Sequence, residues 1–119
     1  MKFLIVEDEL LIQKSLKKIL ERKGMEVEAT SHGIEAIDLI LNNTYDKIIC
    51  DLMLQDITGF DILEASKKKY TLDEISSLFT IITAYSSESV QSKAKEYNCR
   101  IINKPFNDIN HIIDTIIAS

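Results

Sequence analysis

The hydrophobic residues of this chain follow two alternating spacings. From Phe3 to Val6 they form a continuous apolar run of the kind found in buried strands. The next apolar residues recur at helical spacing: Leu11, Ile12, Leu16, Ile19 and Leu20. Gly24 follows directly, at the place where many helices end on a left-handed residue. The first segment therefore predicts a strand followed by a helix.

A second strand and helix follow with a different strand pattern. Met25, Val27 and Ala29 alternate with glutamates, which predicts a half-exposed strand at the edge of a sheet. Thr30 or Ser31 is the expected N-cap of the next helix. The apolar stripe of that helix consists of Ile34, Ile37, Ile40 and Leu41.

Three further pairs of strand and helix complete the chain. The third strand ends on Asp51, and a loop from Gln55 to Gly59 leads into a helix. The fourth strand covers Leu78 to Ile82 and stops at Thr83, and Ser86 or Ser87 caps the helix after it. The fifth pair is predicted from a short strand at Ile101 and Ile102, the sequence Asn103-Lys104-Pro105, and an apolar helix capped by Asn107.

The fold class follows from this alternation. Strands that are apolar at every position are buried on both faces, so helices must cover both sides of a parallel sheet. We therefore predict an α/β fold of five strand–helix units, (βα)5, as a doubly wound three-layer sandwich with right-handed crossovers. At 119 residues, the chain is expected to form one domain over residues 1–119.

Composition narrows the classes of function. The chain is 45% hydrophobic and 28% charged, and no apolar stretch reaches the roughly 20 residues that a bilayer requires. A net charge of −5 argues against nucleic-acid binding, and the one basic run, from Lys67 to Lys69, is flanked by acids. The two cysteines, Cys50 and Cys99, are predicted to be reduced thiols. A cytoplasmic location fits these features best.

Charged and polar residues follow the predicted strands directly. Glu7, Asp8 and Glu9 follow the first strand, and Asp51 ends the third. In open parallel sheets, functional groups gather beyond the carboxyl ends of the strands. Two carboxylates about 5 Å apart repel by roughly 3 kcal/mol at an effective dielectric of 20. A cation would relieve this repulsion, and hard oxygen ligands suit Mg²⁺ better than zinc.

Thr83 and Lys104 add a hydroxyl and an ammonium group to the same edge of the sheet. Singly, each fits an ordinary structural role: Asp51 in a turn, Lys104 on the surface and Thr83 at a helix entry. Together with a metal ion they suit a phosphoryl group, whose charge the cations neutralise while a carboxylate attacks phosphorus. Asp51 is the candidate nucleophile.

These residues resemble the motifs of a known family, the receiver domains of two-component response regulators. Val6-Glu7-Asp8-Glu9 is similar to the acidic metal motif of that family. Asp51-Leu52-Met53, with Gly59, resembles the phosphoacceptor strand and loop. Thr83-Ala84 resembles the switch motif, and Lys104-Pro105-Phe106 the Lys-Pro motif. The likeness runs from about Lys2 to the last residue.

The resemblance implies a flavodoxin-like fold, with strand order 2-1-3-4-5, that accepts phosphate on Asp51 from the phosphohistidine of a sensor histidine kinase or histidine phosphotransfer protein. It also implies Mg²⁺ binding by Glu7, Asp8, Asp51 and the main-chain carbonyl of Met53. Lys104 would pair with the phosphoryl group and precede a cis proline.

The family also predicts how the signal is passed on. Thr83 would move on phosphorylation and repack the surface of the fourth helix, fifth strand and fifth helix, where an output domain or target protein would bind. The switch position that is usually aromatic is Ile101 here, which has no ring to swing inward, and Tyr85 is the nearby aromatic candidate. The chain would be a signalling protein that catalyses its own phosphorylation and dephosphorylation, rather than an enzyme.

Two other functions on related folds fit these residues less well. A haloacid-dehalogenase-type phosphatase needs a second acid where Met53 stands, and an FMN carrier needs a phosphate loop where Glu7, Asp8 and Glu9 would repel the phosphate. A pseudo-receiver, which is a phosphate-independent interaction module on the same fold, stays the alternative. Both a stand-alone receiver and one domain of a longer chain fit this sequence.

Overall fold

Strands and helices alternate along the part of the chain that the structure describes. This computed structural model describes residues 1–84 and 87–119. The strands are β1 (Lys2–Val6), β2 (Glu26–Thr30), β3 (Lys47–Asp51), β4 (Phe79–Thr83) and β5 (Arg100–Asn103). The helices are α1 (Leu10–Arg22), α2 (Gly33–Asn42), α3 (Gly59–Ser66), α4 (Leu72–Leu78), α5 (Glu88–Tyr97) and α6 (Ile109–Ala118).

The five strands form one sheet in the order β2-β1-β3-β4-β5, and every neighbouring pair is parallel. Leu4 of β1, for example, lies opposite Glu28 on one side and Ile48 on the other. β3 and β4 are buried at every position, whereas the edge strands β2 and β5 are mostly half-buried. The predicted doubly wound parallel sheet and its strand order are confirmed.

Helices cover both faces of the sheet because side chains of a strand alternate between its faces. Phe3 and Ile5 pack with α1 and α6 on one face. Leu4 and Val6 pack with α2, α3, α4 and α5 on the other face. The chain thus forms three layers around two apolar clusters, and the carboxyl ends of all five strands meet at one edge.

The helix α4 was missing from the predicted set of five strand–helix units. Thr71 and Glu74 form a capping box at its start, and Ile75 and Leu78 bury its apolar side. Leu78 therefore ends a helix, and β4 begins one residue later at Phe79. A helix of seven residues is too short for its two buried positions to stand out as a helical period.

Helix ends agree with the sequence in part. Gly24 has the predicted left-handed backbone, with φ of +84°. The predictions of Thr30 or Ser31 and of Asn107 as N-caps were wrong. His32 precedes α2, and Asp108 caps α6 by accepting a hydrogen bond from the main chain. Each miss is of one or two residues.

The predicted cap of α5 and the aromatic candidate near the switch position both fall in the sequence between β4 and α5. Ser87 caps α5, as one of the two predicted candidates, because its Oγ accepts from the Val90 amide at 3.3 Å. Ser86, the other candidate, and Tyr85 lie outside the described residues.

Two predictions from composition can be compared with the structure. Both cysteines are free thiols, Cys50 buried and Cys99 half-buried. Among the described helices, none has the length and apolar character needed to cross a bilayer.

Candidate functional site

The charged residues predicted from strand ends lie around one cavity at the carboxyl edge of the sheet. Glu7 follows β1, Asp51 is the last residue of β3, and Lys104 follows β5. The cavity has a volume of about 270 Å³, and its wall consists of Asp8, Glu9, Asp51, Met53, Ala84 and Lys104. Cavities of about 430 and 470 Å³ lie at the opposite edge, but this one collects the side chains at the strand ends.

Lys104 is the centre of the charge network. Its Nζ lies 2.6 Å from Glu7 Oε1, 3.1 Å from Asp51 Oδ2 and 3.3 Å from Glu9 Oε1. The side chains of Lys104 and Asp51 are only 8% and 6% exposed. Burial alone would lower the pKa of the Lys104 ammonium, but its contacts with Glu7 and Asp51 outweigh burial and raise that pKa. Lys104 is therefore a fixed positive charge between carboxylates.

Glu7 is fully buried and held from several sides. Its amide donates to Thr30 O at 3.0 Å, and its carbonyl accepts from the Gln13 side chain at 2.8 Å. Oε2 accepts from the Glu9 amide at 3.1 Å. Burial, followed by the contact with Asp51, raises the pKa of Glu7 to about 7, although Lys104 and the Glu9 amide act in the opposite direction. A carboxyl group is thus kept in a place that disfavours its charge.

The carboxylates of Glu7, Asp8 and Asp51 fit a metal ion. One oxygen from each lies within 4.8 Å of the others. Glu7 Oε1 is buried and forms an ion pair with Lys104. Among the described residues, no donor meets the geometry of a hydrogen bond to this oxygen. A buried oxygen with spare acceptor capacity beside two further carboxylates suits a hard divalent cation. This cluster could therefore hold a metal ion.

The loop after β3 shapes the wall beside Asp51. The Met53 amide donates to Asp51 Oδ1 at 3.2 Å, and Met53 itself is half exposed at the cavity. The Gly59 amide donates to Leu52 O at 2.7 Å, where a Cβ on Gly59 would lie 2.9 Å from Asp51 O. Only glycine lets α3 begin this close to the strand.

Asp56 ties the same loop to α2. Its carboxylate accepts from the amides of Gly33 at 2.9 Å and Ile34 at 3.0 Å, which lowers the pKa of Asp56. The α2 amino terminus is therefore capped from a distant loop, as its own preceding residues provide no side-chain cap.

The two predicted switch residues occupy different surroundings. Thr83 is fully buried at the end of β4, and its carbonyl accepts from the Lys104 amide at 2.8 Å. Ile101 is half-buried in β5 opposite Ile81 and packs against the apolar cluster on that face. It is absent from the wall of the site cavity. The predicted cis peptide bond between Lys104 and Pro105 is present.

Two residues that contact the site were not among the predicted site residues, although Glu9 belongs to the predicted acidic motif. Glu9 reaches Lys104 from the first position before α1, and Gln13 holds the Glu7 carbonyl from the first turn of that helix. A third acid directly after Glu7-Asp8 was the available signal for Glu9. No comparable sequence signal marks Gln13.

A five-stranded doubly wound sheet with carboxylates and a lysine at its switch-point crevice defines a class of flavodoxin-like α/β domains. A comparison with family models matches residues 3–117 to the response regulator receiver domain. The chain belongs to this family, and it is the receiver domain of a two-component response regulator.

Curated relatives agree with this assignment. The chain is 34% identical over 118 residues to the response regulator ArlR of Staphylococcus saprophyticus, covering 98% of this chain and 51% of ArlR. It is 29% identical to the polar-differentiation response regulator DivK of Brucella anthropi, covering 95% of this chain and 90% of DivK. This chain spans about half the length of the first curated relatives that it matches.

Solved structures share the fold. The non-phosphorylated HemR receiver domain of Leptospira biflexa superposes with a TM-score of 0.84 at 30% identity, covering 99% of this chain and 94% of that one. A receiver domain protein from Methanospirillum hungatei superposes with a TM-score of 0.85 at 26% identity, covering 98% and 90%.

Proposed function

We propose that this receiver domain accepts a phosphoryl group on Asp51 from the phosphohistidine of a sensor histidine kinase or histidine phosphotransfer protein. The observation that carries the proposal is the position of Asp51, whose Oδ2 is 3.1 Å from a buried lysine in a cavity lined by further carboxylates. An aspartate that only forms a turn needs neither a buried lysine nor further carboxylates beside it.

In the proposed step, a carboxylate oxygen of Asp51 attacks phosphorus in line with the P–N bond of the donor. The O–P bond forms as the P–N bond breaks, and the histidine nitrogen keeps the electron pair and takes up a proton. Lys104 would pair with the phosphoryl oxygens, and its positive charge is in place before the transfer begins. Thr83 would hydrogen-bond another phosphoryl oxygen in the product.

Mg²⁺ is the proposed cofactor. Glu7, Asp8, Asp51 and the main-chain carbonyl of Met53 would hold it, because hard oxygens with room for water are the ligands that Mg²⁺ prefers. When bound, the ion would neutralise charge on the transferring phosphoryl group. The spare acceptor capacity of Glu7 Oε1 supports this choice of ligands.

The domain would act as a signalling protein rather than as an enzyme on other substrates. It would catalyse the phosphorylation of its own Asp51 and the hydrolysis of the resulting aspartyl phosphate, which restores the free carboxylate. The readout would lie on the surface formed by α5, β5 and α6, which are the predicted fourth helix, fifth strand and fifth helix. An output domain or target protein would bind there. Thr83 and Ile101 would be the switch residues, with isoleucine at the usually aromatic position. The negative charge of the chain favours a protein partner over direct nucleic-acid binding.

Incubation with acetyl phosphate, with and without Mg²⁺, tests the proposal by intact mass spectrometry. We expect the wild type to gain one phosphoryl group only with Mg²⁺, and Asp51→Asn to gain none. The control Asp73→Asn changes an exposed acid in α4 and should be modified like the wild type. A wild type that stays unmodified by acetyl phosphate and by a panel of phosphorylated kinases would instead support the pseudo-receiver alternative.

A further inference from the structure

Glu9 stands at the mouth of the site in an unusual position for an N-cap residue. It precedes α1 with an extended backbone, yet its side chain does not cap the helix. The carboxylate instead lies 3.3 Å from Lys104 Nζ, and the side chain is 62% exposed. Its amide is fixed by Glu7 Oε2. The backbone is thus anchored to the buried site while the charge faces the entrance.

This charge is not needed to balance the buried groups. Lys104 already has Glu7 and Asp51 as buried partners, so the cavity has more negative than positive charge before Glu9 is counted. With all carboxyl groups ionised, Glu7, Asp8, Glu9 and Asp51 outnumber Lys104 by three charges. A bound divalent cation leaves one net negative charge at the entrance, and that charge disappears when Glu9 is neutralised.

We propose that Glu9 is a specificity-determining residue that disfavours small phosphodonors of high negative charge. The inference rests on the proposed phosphoacceptor function of Asp51. A dianionic donor such as acetyl phosphate must approach the Glu9 carboxylate to reach Asp51, and the repulsion between them lowers its encounter rate. A donor whose phosphoryl group is attached to a protonated nitrogen, as in a phosphohistidine with a protonated ring, carries one negative charge less and meets less repulsion. Glu9 would thereby favour the protein donor over small metabolites.

The test compares Glu9→Gln with the wild type at pH 7 and saturating Mg²⁺. The two donors are acetyl phosphate, a dianion, and phosphoramidate, which carries a protonated nitrogen and one net negative charge. We expect Glu9→Gln to raise the phosphorylation rate constant with acetyl phosphate about three- to tenfold at low ionic strength. The rate with phosphoramidate should rise only about two- to threefold, and both effects should shrink at about 0.5 M salt.

Two variants separate charge from structure. Glu9→Asp keeps the charge but shortens the reach to Lys104, so its rates should stay within about twofold of wild type by the same through-space argument. Glu21→Gln removes an equal charge from the exposed far end of α1 and should leave both rates unchanged. Thermal melts of all variants check that the fold is retained.

Several results would overturn the inference. They are an unchanged rate with acetyl phosphate in Glu9→Gln, equal acceleration with both donors, acceleration that persists at high salt, or a Glu9→Asp variant that behaves like Glu9→Gln. Each of these leaves wild-type phosphorylation intact and refutes only the role of Glu9. A wild type that neither donor modifies refutes the phosphoacceptor function itself, and the role of Glu9 with it.

Discussion

Replacing Glu7 by glutamine should stabilise the metal-free protein. The buried part of the site contains two carboxylates, Glu7 and Asp51, against the single ammonium of Lys104. Glu7→Gln has nearly the same shape: its amide oxygen can still accept from the Glu9 amide, and its NH2 group can turn from Lys104 to donate to the neighbouring Asp51 carboxylate. It leaves Lys104 with one buried carboxylate, so the buried charges balance. We therefore expect a gain in the free energy of unfolding above neutral pH.

The pKa of Glu7 sets the size of the gain. Burial raises that pKa from the ordinary value of 4.5 to about 7. An acid whose pKa is higher in the folded chain binds its proton more tightly when folded, so stability falls as pH rises from 4.5 to about 7 and stays low above. At about 1.4 kcal/mol per pH unit over that interval, the penalty approaches ~3 kcal/mol. Glu7→Gln should remove this penalty.

Urea denaturation in EDTA between pH 5 and pH 8, followed by circular dichroism, measures the effect. Across this range, the free energy of unfolding of the wild type should fall by about 2–3 kcal/mol more than that of Glu7→Gln. Glu21→Gln is the matched control, since it removes the same charge from an exposed helix position and should keep the wild-type slope.

Parallel pH profiles for the wild type and Glu7→Gln would refute the reasoning. They would mean that Lys104 compensates Glu7 fully and that its carboxyl group titrates alike in folded and unfolded chains. A variant less stable than the wild type at pH 8 would have the same consequence. In that case the ion pair with Lys104 would stabilise the fold more than the excess negative charge destabilises it.

Three further changes test the scaffold around the site. Lys47→Met should lower the free energy of unfolding by about 1–3 kcal/mol in urea titrations, because it removes the hydrogen bonds that the ammonium donates to main-chain oxygens of Ser77 and Ser119, whereas Lys68→Met on the surface should not. Asp56→Ala should cost about 1 kcal/mol and speed hydrogen exchange at the first amides of α2; equal exchange in both proteins would contradict the cap. Gly59→Ala should lower the melting temperature and slow phosphorylation, since its Cβ would lie 2.9 Å from the Asp51 carbonyl oxygen; a variant that retains both would show that α3 can shift at no cost.

The fold could be predicted from sequence wherever a long pattern and the topology point the same way. The apolar runs that became β3 and β4 are buried at every position, and five predicted strands with intervening helical stripes leave few alternatives to a doubly wound sheet. Once the sheet is parallel, its strand ends share one edge, so the meeting of Glu7, Asp51 and Lys104 follows without knowledge of any distance. The roles of these residues stay predictions.

Features built from short or distant segments could not be predicted in this way. α4 is seven residues long, and the capping box at Thr71 was its only distinct signal. Lys47, a residue type that is usually exposed, is buried at the start of β3, because its ammonium reaches main-chain oxygens at the ends of two helices that lie far away in sequence. The α2 cap from Asp56 is another contact of this kind. Such contacts depend on the folded arrangement of segments, which a local pattern does not contain.

The same excess of negative charge links the stability of this domain to the proposed use of Mg²⁺. A ligand at about a hundred times its dissociation constant stabilises a folded protein by about 2.7 kcal/mol, close to the ~3 kcal/mol penalty estimated for Glu7. The wild type with Mg²⁺ and Glu7→Gln without it should therefore have similar stability above neutral pH. Glu7→Gln should in turn gain much less from Mg²⁺ than the wild type, because the substitution removes one of the proposed ligands. Ionised Glu7 thus destabilises the metal-free fold, and the same residue would stabilise the metal-bound fold as a ligand.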